Sequence, residues 1–252
     1  MAIYAMTGGA TGIGAALKEQ LRGRGDSVIV VDIRDADVHA DLSTAEGRSA
    51  AVAGVHAMAP DGLDGFIACA GLGTHVKPPS LIAAVNYFGA VATIEGLRDL
   101  VAQKKGAMLI VSSNSAPMVE ADNAFVEACL AGDEAAALAL LEDGHTAYAG
   151  SKRALTQWMR RNVQAYAGAG VRINAVAPGI TRTNMTDAVS NDPELADSIR
   201  QFEAMTPLGG SAEPAQIANA MRFLLGDEAD FICGAVLFVD GGTDALLRAD
   251  TF

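Results

Sequence analysis

The sequence has little positive charge. It holds 18 Lys and Arg residues against 30 Asp and Glu, which gives a net charge of −12. Because no basic stripe is present to neutralise phosphates, we expect no nucleic-acid partner. The same acidity disfavours an anionic membrane surface, and no apolar run reaches the roughly 18 residues of a membrane span. These absences together predict a soluble protein with no membrane partner.

Cysteine is also scarce. Cys69, Cys129 and Cys233 are an odd number without C-x-x-C spacing, so neither a disulfide framework nor a metal site is indicated. Residues 1–6 lead directly into a strand pattern and lack the basic and apolar regions of a signal peptide. We therefore expect a cytoplasmic protein. Half of the 252 residues are hydrophobic, which makes disorder unexpected.

Apolar runs alternate with helical patterns along the chain. This alternation predicts one α/β domain over residues 1–252, built on a Rossmann-type doubly wound parallel sheet flanked by helices. Strands are predicted at 2–6, 27–31, just before 41, and at 65–68, 107–111, 171–176 and 234–239. Helices are predicted at 15–24, from 43 onward, and at 81–101, 146–167 and 212–225.

A glycine-rich turn, TGGATGIG at residues 7–14, follows the first strand and precedes a helix. Glycines let the backbone approach a pyrophosphate, whose charge is stabilised at a helix N-terminus. The G-x-x-x-G-x-G spacing alone also fits a simple tight turn. The flanking strand and helix favour dinucleotide binding.

Acidic residues end the next two strands. Asp32 can accept hydrogen bonds from an adenosine ribose and would repel a 2′-phosphate, which predicts NAD rather than NADP. Arg34 either relaxes that preference by pairing with such a phosphate or is a solvated side chain. Asp41, before Leu42, is placed to meet the adenine amine. Ser43 and Glu46 resemble a capping box that opens a helix.

Tyr148 and Lys152 are four residues apart in a predicted helix and so share one face. A nearby ammonium favours the phenolate and is expected to lower the pKa of Tyr148, which suits proton transfer near neutral pH. Ser112 and Ser113 end a strand, where they either face the ligand crevice or serve as turn residues. Asn86 is either a satisfied structural group or one that holds a water.

Two segments are predicted to border the site. Residues 116–145 read as a helical insertion with helices at 125–130 and 134–142 and with Asp133 as an N-cap. Residues 180–210 read as a substrate lid. These segments contribute apolar side chains without a cluster of fixed charges, which predicts a neutral hydrophobic substrate: Met118, Leu141, Met185 and Met205.

Taken in order, these motifs resemble the short-chain dehydrogenase/reductase family over essentially the whole chain. The family's motifs align with residues 7–14, Asp32, 41–42, 69–71, Asn86, Ser113, Tyr148, Lys152, 178–179 and 240–242. Within the family, residues 31–48, 69–73 and 85–90 and the long insertion are most similar to the bacterial hydroxysteroid dehydrogenases/carbonyl reductases. One departure is Cys69, where the family usually has Asn, and it puts that single contact in doubt.

The resemblance implies a role for each matching residue. Tyr148 would be the general acid/base, Lys152 would lower its pKa and hold the nicotinamide ribose, Ser113 would bind the substrate oxygen, and Asn86 would support a water-linked proton relay. The implied NAD-binding residues, besides Tyr148 and Lys152, are Thr7, Gly8, Thr11, Gly12, Ile13, Gly14, Asp32, Ile33, Asp41, Leu42, Cys69, Ala70, Gly71, Pro178, Gly179, Ile180, Thr181 and Thr183. The implied assembly is a homodimer through the C-terminal helix and strand.

The expected activity is interconversion of a secondary alcohol and a ketone on a steroid, cyclic terpenoid or aryl ketone. A dehydrogenase of small polar hydroxy compounds or sugars is the alternative within the enzyme class. A non-catalytic dinucleotide sensor is disfavoured because such proteins usually lose the Tyr or the Lys. A Cys/His nucleophilic site is poorly supported, since His56, His75 and His145 read as surface residues.

Overall fold

The computed structural model describes residues 1–120, 122–192 and 196–251. Over these residues seven parallel strands form one sheet in the order β3-β2-β1-β4-β5-β6-β7, which confirms the predicted doubly wound fold. The strands are β1 (Ile3–Thr7), β2 (Ser27–Asp32), β3 (Val38–His39), β4 (Gly65–Ala68), β5 (Ala107–Val111), β6 (Arg172–Pro178) and β7 (Val236–Val239).

Helices cover both faces of the sheet. They are α1 (Gly12–Gly23), α2 (Ala45–Met58), α3 (Pro79–Ala83), α4 (Ala90–Gly96), α5 (Arg98–Gln103), α6 (Ala124–Leu130), α7 (Glu134–Ala139), α8 (Gly144–Gly168), α9 (Asn184–Ser190), α10 (Ala196–Met205), α11 (Pro214–Leu225) and α12 (Thr243–Leu247). Short 3₁₀ turns occupy Ala116–Met118 and Asp227–Ala229. Among the described helices, none combines the length and the apolarity that crossing a bilayer requires.

The core lies in two apolar layers, one on each side of the sheet. Successive residues of a strand face opposite sides, so Ala5 belongs to one layer and Met6 to the other. The first layer holds Val55 of α2 and Leu155 of α8. The second holds Leu17 of α1, with residues of α11. The strand order reverses between β1 and β4, and ligands bind at this point in open α/β sheets.

Several predicted helix ends were wrong. Helix α1 begins at Gly12, because the last residues of the glycine turn already form its first turn. The capping box at Ser43 is absent, since Thr44 is the N-cap of α2 and its hydroxyl accepts from the Gly47 amide at 3.0 Å. The Ser43 amide instead donates to the carboxylate of Asp41 at 2.9 Å. Helix α7 ends at Ala139, three residues before the predicted end.

The helix predicted over 81–101 is interrupted. It begins at Pro79, widens into a π-helical segment at Ala84–Gly89, and breaks again at Leu97 between α4 and α5. We refer to Ala84–Gly89 as the π segment. Asn86 lies in it and is completely buried. π-Helical turns are rare and frequently occur at functional sites.

The insertion packs on the helix that carries Tyr148. Phe125 of α6 is 2% exposed and lies against Gly150 of α8, where a Cβ would be 2.7 Å from the Phe125 ring. Helix α6 therefore packs against α8, while the two ends of the insertion reach a cleft at the carboxyl ends of the strands. Residue 121 of this segment lies outside the described residues, as do 193–195 of the predicted lid.

Candidate active site

A cleft of about 990 Å³ opens at the carboxyl ends of β1, β4, β5 and β6. Many of the predicted site residues line it: Gly8, Thr11, Gly12, Ile13, Gly14, Cys69, Ala70, Gly71, Ser113, Tyr148, Lys152, Pro178, Gly179, Ile180, Thr181 and Thr183. Thr7, Asp32, Ile33, Asp41, Leu42 and Asn86 do not line it and are placed below.

The glycine turn is packed too closely to accept side chains. Gly8 has a φ of +75°, and a Cβ there would be 2.6 Å from the backbone of Ala70. A Cβ on Gly14 would be 2.0 Å from the Gly8 carbonyl oxygen. The first turn of α1 therefore starts at the cleft, and it contains no acidic residue. Its free amide groups are suited to a pyrophosphate.

Thr7 lies beneath the cleft and not on its surface. It is 1% exposed, and its hydroxyl oxygen accepts hydrogen bonds from the amides of Cys69 and Ala70 at 3.2 and 3.1 Å. These bonds join the ends of β1 and β4. The structure thus gives the Thr7 side chain a supporting position under the glycine turn, away from the predicted pyrophosphate contact.

The predicted adenosine residues lie at the end of β2 and after β3. The Asp32 carboxylate accepts from the amides of Ala10 and Ile33 at 3.2 and 2.8 Å, which fixes it beside the glycine turn. Ile33 is 64% exposed. Hydrogen bonds from the hydroxyl and amide of Ser43 lower the pKa of Asp41, whereas Leu42 is buried in the core.

The Lys152 ammonium is hydrogen-bonded to the backbone of β5. It donates to the carbonyl of Val111 at 2.7 Å and lies 5.9 Å from the centre of the Tyr148 ring. The side chain is buried, and this burial lowers the pKa of Lys152 to about 8, with Cys69 opposing the shift. A buried ammonium has lost hydration that the charged form needs.

The expectation that Lys152 lowers the pKa of Tyr148 was wrong for this structure. Burial raises the pKa of Tyr148, and a hydrogen bond with Ser113 opposes that rise. The physical reason is that removal from water disfavours the phenolate, while the Lys152 ammonium is committed to the Val111 carbonyl. Tyr148 therefore keeps its proton at neutral pH.

The two serines after β5 have different surroundings. Both line the cleft, but the Ser112 hydroxyl is 2.6 Å from the Thr156 hydroxyl, so it is tied to α8. The Ser113 oxygen accepts from the Ser115 amide at 3.1 Å and is 2.9 Å from the Ser115 hydroxyl. Of the pair, Ser113 is thus the one that meets Tyr148.

Asn86 lies behind the cleft wall. Its amide group accepts from the Leu72 amide at 2.7 Å and donates to the Leu72 carbonyl at 3.0 Å. A Cβ on Gly71 would be 3.3 Å from the Asn86 Oδ1 and 3.5 Å from the Lys152 Nζ. Asn86 and Lys152 therefore both approach Gly71 closely, and the space between them would be narrowed by any larger side chain there.

The segment after β6 closes the other side of the cleft. Thr181 donates from its hydroxyl to the Gly179 carbonyl at 3.0 Å. Thr183 caps α9 and touches the glycine turn, since a Cβ on Gly12 would be 3.2 Å from the Thr183 methyl carbon. A ligand between the glycine turn and β6 is thus bordered by this segment.

The apolar lining of the cleft differs in part from the sequence-based expectation. Met118 and Met185 line it, but Leu141 packs on the core and Met205 is 40% exposed away from it. Further apolar residues of the lid segment line the cleft and were not predicted, because tertiary packing decides which face of their helices is buried: Val189, Ile199 and Phe202.

Two histidines expected at the surface also line the cleft. His75 is half-buried after β4, and His145 is exposed at the start of α8. Asn114 and Ser115, which were not predicted as site residues, lie there as well. His75, Asn114 and Ser115 could have been predicted from their positions just after β4 and β5, because loops after parallel strands meet at one edge of the sheet.

Cys69 lines the cleft as a protonated thiol. Burial raises its pKa to about 11, and the nearby Lys152 opposes that rise. A nucleophilic cysteine needs the opposite shift, so this environment argues against a Cys/His site. The described residues also hold no group of three or more His, Cys, Asp or Glu placed to bind a metal ion.

Known proteins resemble this chain along its full length. A family model described as enoyl-(acyl carrier protein) reductase matches residues 134–244. The chain is 42% identical to a 3-alpha-hydroxysteroid dehydrogenase/carbonyl reductase of Comamonas testosteroni, with 100% of both chains covered. It is 32% identical to a galactitol 2-dehydrogenase (L-tagatose-forming) of Cereibacter sphaeroides, over 96% of this chain and 94% of the relative.

Solved structures of related proteins also match the fold of this chain over nearly its full length. The 3-alpha-hydroxysteroid dehydrogenase from Pseudomonas sp. B-0831, complexed with NADH, matches with a TM-score of 0.96 and 48% identity, covering 99% of this chain and 100% of that one. A levodione reductase matches at 21% identity with a TM-score of 0.78, over 97% of this chain and 98% of that one, and supports the fold alone.

Proposed function

The chain belongs to the short-chain dehydrogenase/reductase family, and on that premise we propose that it is an NAD-dependent oxidoreductase that interconverts a secondary alcohol and a ketone on a hydrophobic substrate. One observation carries the proposal: Ser113, Tyr148 and Lys152 line the same cleft as the glycine turn of residues 7–14. Acid–base groups and a dinucleotide cradle thereby share one space.

The cleft residues fit a dinucleotide. Gly8, Gly14 and Gly71 leave backbone where side chains would otherwise intrude, and the start of α1 offers free amides to the pyrophosphate. Asp32 would accept the ribose hydroxyls, which favours NAD over NADP. When bound, the nicotinamide supplies the hydride chemistry, and the protein supplies orientation and electrostatics.

Proton transfer is assigned to Tyr148. A phenol is protonated at neutral pH and burial raises the pKa of Tyr148 further, so Tyr148 has a proton to donate to the oxygen of a ketone during reduction. The Ser113 hydroxyl would donate to that same oxygen and stabilise its developing negative charge. In the oxidative direction, Tyr148 would take the alcohol proton after giving up its own. We assign the relay of that proton to a water near Asn86.

The substrate class is proposed from the lining of the cleft. Met118, Met185 and Phe202 provide apolar surface in the same cleft as Ser113 and Tyr148, which suits a steroid, a cyclic terpenoid or an aryl ketone. We propose that residues 180–210 act as the lid over this substrate. The hydroxysteroid relatives support the same substrate class.

A second candidate is a dehydrogenase of small polar hydroxy compounds. His75, Asn114 and Ser115 add hydrogen-bonding groups to the same cleft, and the galactitol 2-dehydrogenase shares 32% identity with this chain. A polyol needs hydrogen-bonding partners of this kind, and a purely apolar site would not bind it. The two candidates therefore differ in which part of the lining dominates substrate binding.

A substrate panel distinguishes these candidates. Hydroxysteroids, terpenols, arylethanols and hexitols would be tested with NAD and with NADP while the absorbance of the reduced cofactor is followed. We expect kcat/KM to be highest for an apolar alcohol and to be higher with NAD than with NADP. Turnover of hexitols alone would favour the second candidate. Binding of NAD without turnover of any compound would contradict an enzymatic function.

Assembly and compartment are further parts of the proposal. We propose a homodimer formed through the C-terminal helix and strand, where Leu237 and Leu246 are exposed. We also propose a reducing, cytoplasmic location, which the three free cysteines support.

A further inference from the structure

Arg48 is a buried charge outside the cleft. It lies on α2 and is 8% exposed. Its Nε donates to the Leu42 carbonyl at 2.8 Å, and its Nη2 donates to the Ala84 carbonyl at 3.0 Å. Both Nη atoms donate to the carboxylate of Glu134, each at 2.7 Å. A buried guanidinium requires such partners, because an unpaired buried charge is costly.

These contacts join three separate parts of the chain. Leu42 follows β3, Ala84 is the first residue of the π segment, and Glu134 is the first residue of α7 in the insertion. The Arg48–Glu134 pair is bidentate, an arrangement that fixes orientation as well as distance. Arg48 therefore links the insertion to the π segment.

The π segment depends on this attachment at both ends. At its start, the Ala84 carbonyl accepts from Arg48. At its end, Gly89 lies so close to Leu42 that a Cβ would be 2.9 Å from the Leu42 Cβ, and the Arg48 guanidinium lies 5.9 Å from the centre of the Phe88 ring. Because a π turn is less favourable than an α turn, contacts outside the helix must hold it open.

Asn86 lies inside this segment and is oriented by it. Its two hydrogen bonds to the Leu72 backbone place it behind Gly71 and Lys152. If the segment closed into a regular α-helix, each residue after the wide turn would rotate by about 100°. The position of Asn86 relative to the cleft therefore follows from how the segment is held.

We propose that Arg48 and Glu134 form a positioning pair that holds the π segment open and thereby aims Asn86 at the proton path of the active site. This inference rests on the proposed function, because it deepens the role of Asn86 within it. Arg48 and Glu134 are positioning residues, since neither lines the cleft. The insertion thus orients the proton relay in addition to bracing α8.

The test replaces Glu134 in the full-length protein. Glu134→Gln and Glu134→Ala remove the bidentate pair and leave Arg48 with its carbonyl partners. We expect kcat to fall by about tenfold in Glu134→Ala, the scale of a small misplacement of catalytic groups, with a smaller fall in Glu134→Gln. The Kd for NAD is expected to stay unchanged, and the solvent deuterium isotope effect on kcat is expected to increase.

Glu127→Gln is the matched control. Glu127 is an exposed glutamate in the first turn of α6, and Glu134 is a half-buried glutamate in the first turn of α7. Both substitutions remove a favourable charge from a helix N-terminus, but Glu127 makes no contact with Arg48. We expect wild-type kcat and an unchanged isotope effect in this control.

A double variant distinguishes an effect on the position of Asn86 from a general loss of stability. In an Asn86→Ala background, Glu134→Ala is expected to lower kcat no further, because residues that act through one group are non-additive. Wild-type kcat in Glu134→Ala with only a lower Tm would overturn the proposal, as would full additivity with Asn86→Ala. If wild-type protein and Tyr148→Phe are equally inactive on every panel substrate, the proposed function fails instead.

Discussion

At the residue scale, the cleft is built around a lysine that is unfavourable for stability. Lys152 is 4% exposed, and its pKa falls from 10.5 to about 8 because burial disfavours the ammonium. Enzymes commonly hold such groups at a cost to stability because the chemistry requires them. The hydrogen bond to the Val111 carbonyl offsets only part of that cost.

The depressed pKa predicts a specific pH dependence of stability. Between about pH 8 and 10.5 the unfolded chain holds the Lys152 proton and the folded chain does not, so this group makes the folded state more stable as pH rises. Lys152→Met removes that gain. We expect its free energy of unfolding, relative to wild type, to decrease by about 2 kcal/mol between pH 7 and pH 9.5.

Thermal or urea unfolding at the two pH values measures this difference. Tyr148 and Cys69 titrate in both proteins, so their contributions largely cancel in the comparison. Lys104→Met, at an exposed position after α5, is the control and should show no such pH dependence. Equal pH dependence in wild type and Lys152→Met would mean that Lys152 is not desolvated in the folded protein.

At the residue scale, the locations of the site residues were predictable from the sequence, but the direction of the Tyr148 pKa shift was not. Helical spacing predicted that Tyr148 and Lys152 share a face, the strand-end rule indicated the Ser112–Ser113 pair, and the family resemblance selected Ser113. The structure places these residues in one cleft. The sign of the Tyr148 pKa shift was missed, because it depends on burial and on a Lys152 contact with β5 that no local pattern reveals.

At the element scale, close packing at the start of α8 shapes the cleft wall. Asp143 caps the helix by accepting from the Thr146 amide at 2.8 Å. The next residue, Gly144, lies so close to the loop after β4 that a Cβ would be 2.1 Å from the Thr74 carbonyl oxygen. His75 follows in that loop, so the fit between α8 and the loop also sets the cleft lining.

Gly144→Ala is expected to disturb both stability and substrate binding. The added methyl group must push the loop away from α8, at a cost of about 1–3 kcal/mol typical of overpacking. Because the loop lines the cleft, KM for the substrate should rise as Tm falls. Thermal unfolding and steady-state kinetics measure the two effects.

The opposite end of the same helix supplies the control. Gly168 ends α8, and a Cβ there would meet nothing within 4 Å. Gly168→Ala should therefore raise the free energy of unfolding by about 0.5–1 kcal/mol through reduced chain entropy, with kinetics unchanged. If Gly144→Ala behaves like Gly168→Ala, the loop is not held against α8 as described.

The predictability of the elements follows from where their contacts lie. Strands at 65–68 and 107–111 were predicted with their observed bounds, since buried parallel strands read as continuous apolar runs. The π segment could not be predicted, because the Arg48 side chain that supports it lies 36 residues earlier in the chain. Ser43 failed as a cap because Asp41 engages its amide instead.

At the scale of the whole molecule, apolar side chains are exposed in the C-terminal part. Phe231 is 100% exposed, and Leu237 is 37% exposed on β7, the last strand of the sheet order. Further exposed apolar residues in this part are Phe223, Leu246 and Leu247. A bare sheet edge with apolar neighbours favours association with another chain.

Leu237→Lys tests the proposed homodimer. A lysine on the edge strand opposes strand-to-strand and apolar contacts between two copies. We expect wild type to have the mass of a dimer by size-exclusion chromatography with light scattering, and Leu237→Lys to shift toward the monomer. Met58→Lys changes a half-exposed methionine on α2 and should leave the dimer intact. A monomeric wild type would contradict this assembly.

The sheet topology was predictable because strand and helix patterns alternate along the whole sequence, and parallel connections leave few arrangements. The assembly was suggested only by resemblance. Surface contacts between chains leave no periodic signal of their own, and the −12 net charge indicates solubility without selecting a partner.

The central claim is that Tyr148 transfers the proton in a cleft that binds NAD. Tyr148→Phe keeps the aromatic ring and removes only the hydroxyl that meets Ser113. The decisive measurement combines kcat/KM for the best panel substrate with the Kd for NAD in this variant. We predict that kcat/KM falls by at least about 10², the scale of a lost general acid, with an unchanged Kd. Near-normal turnover in Tyr148→Phe would contradict the account.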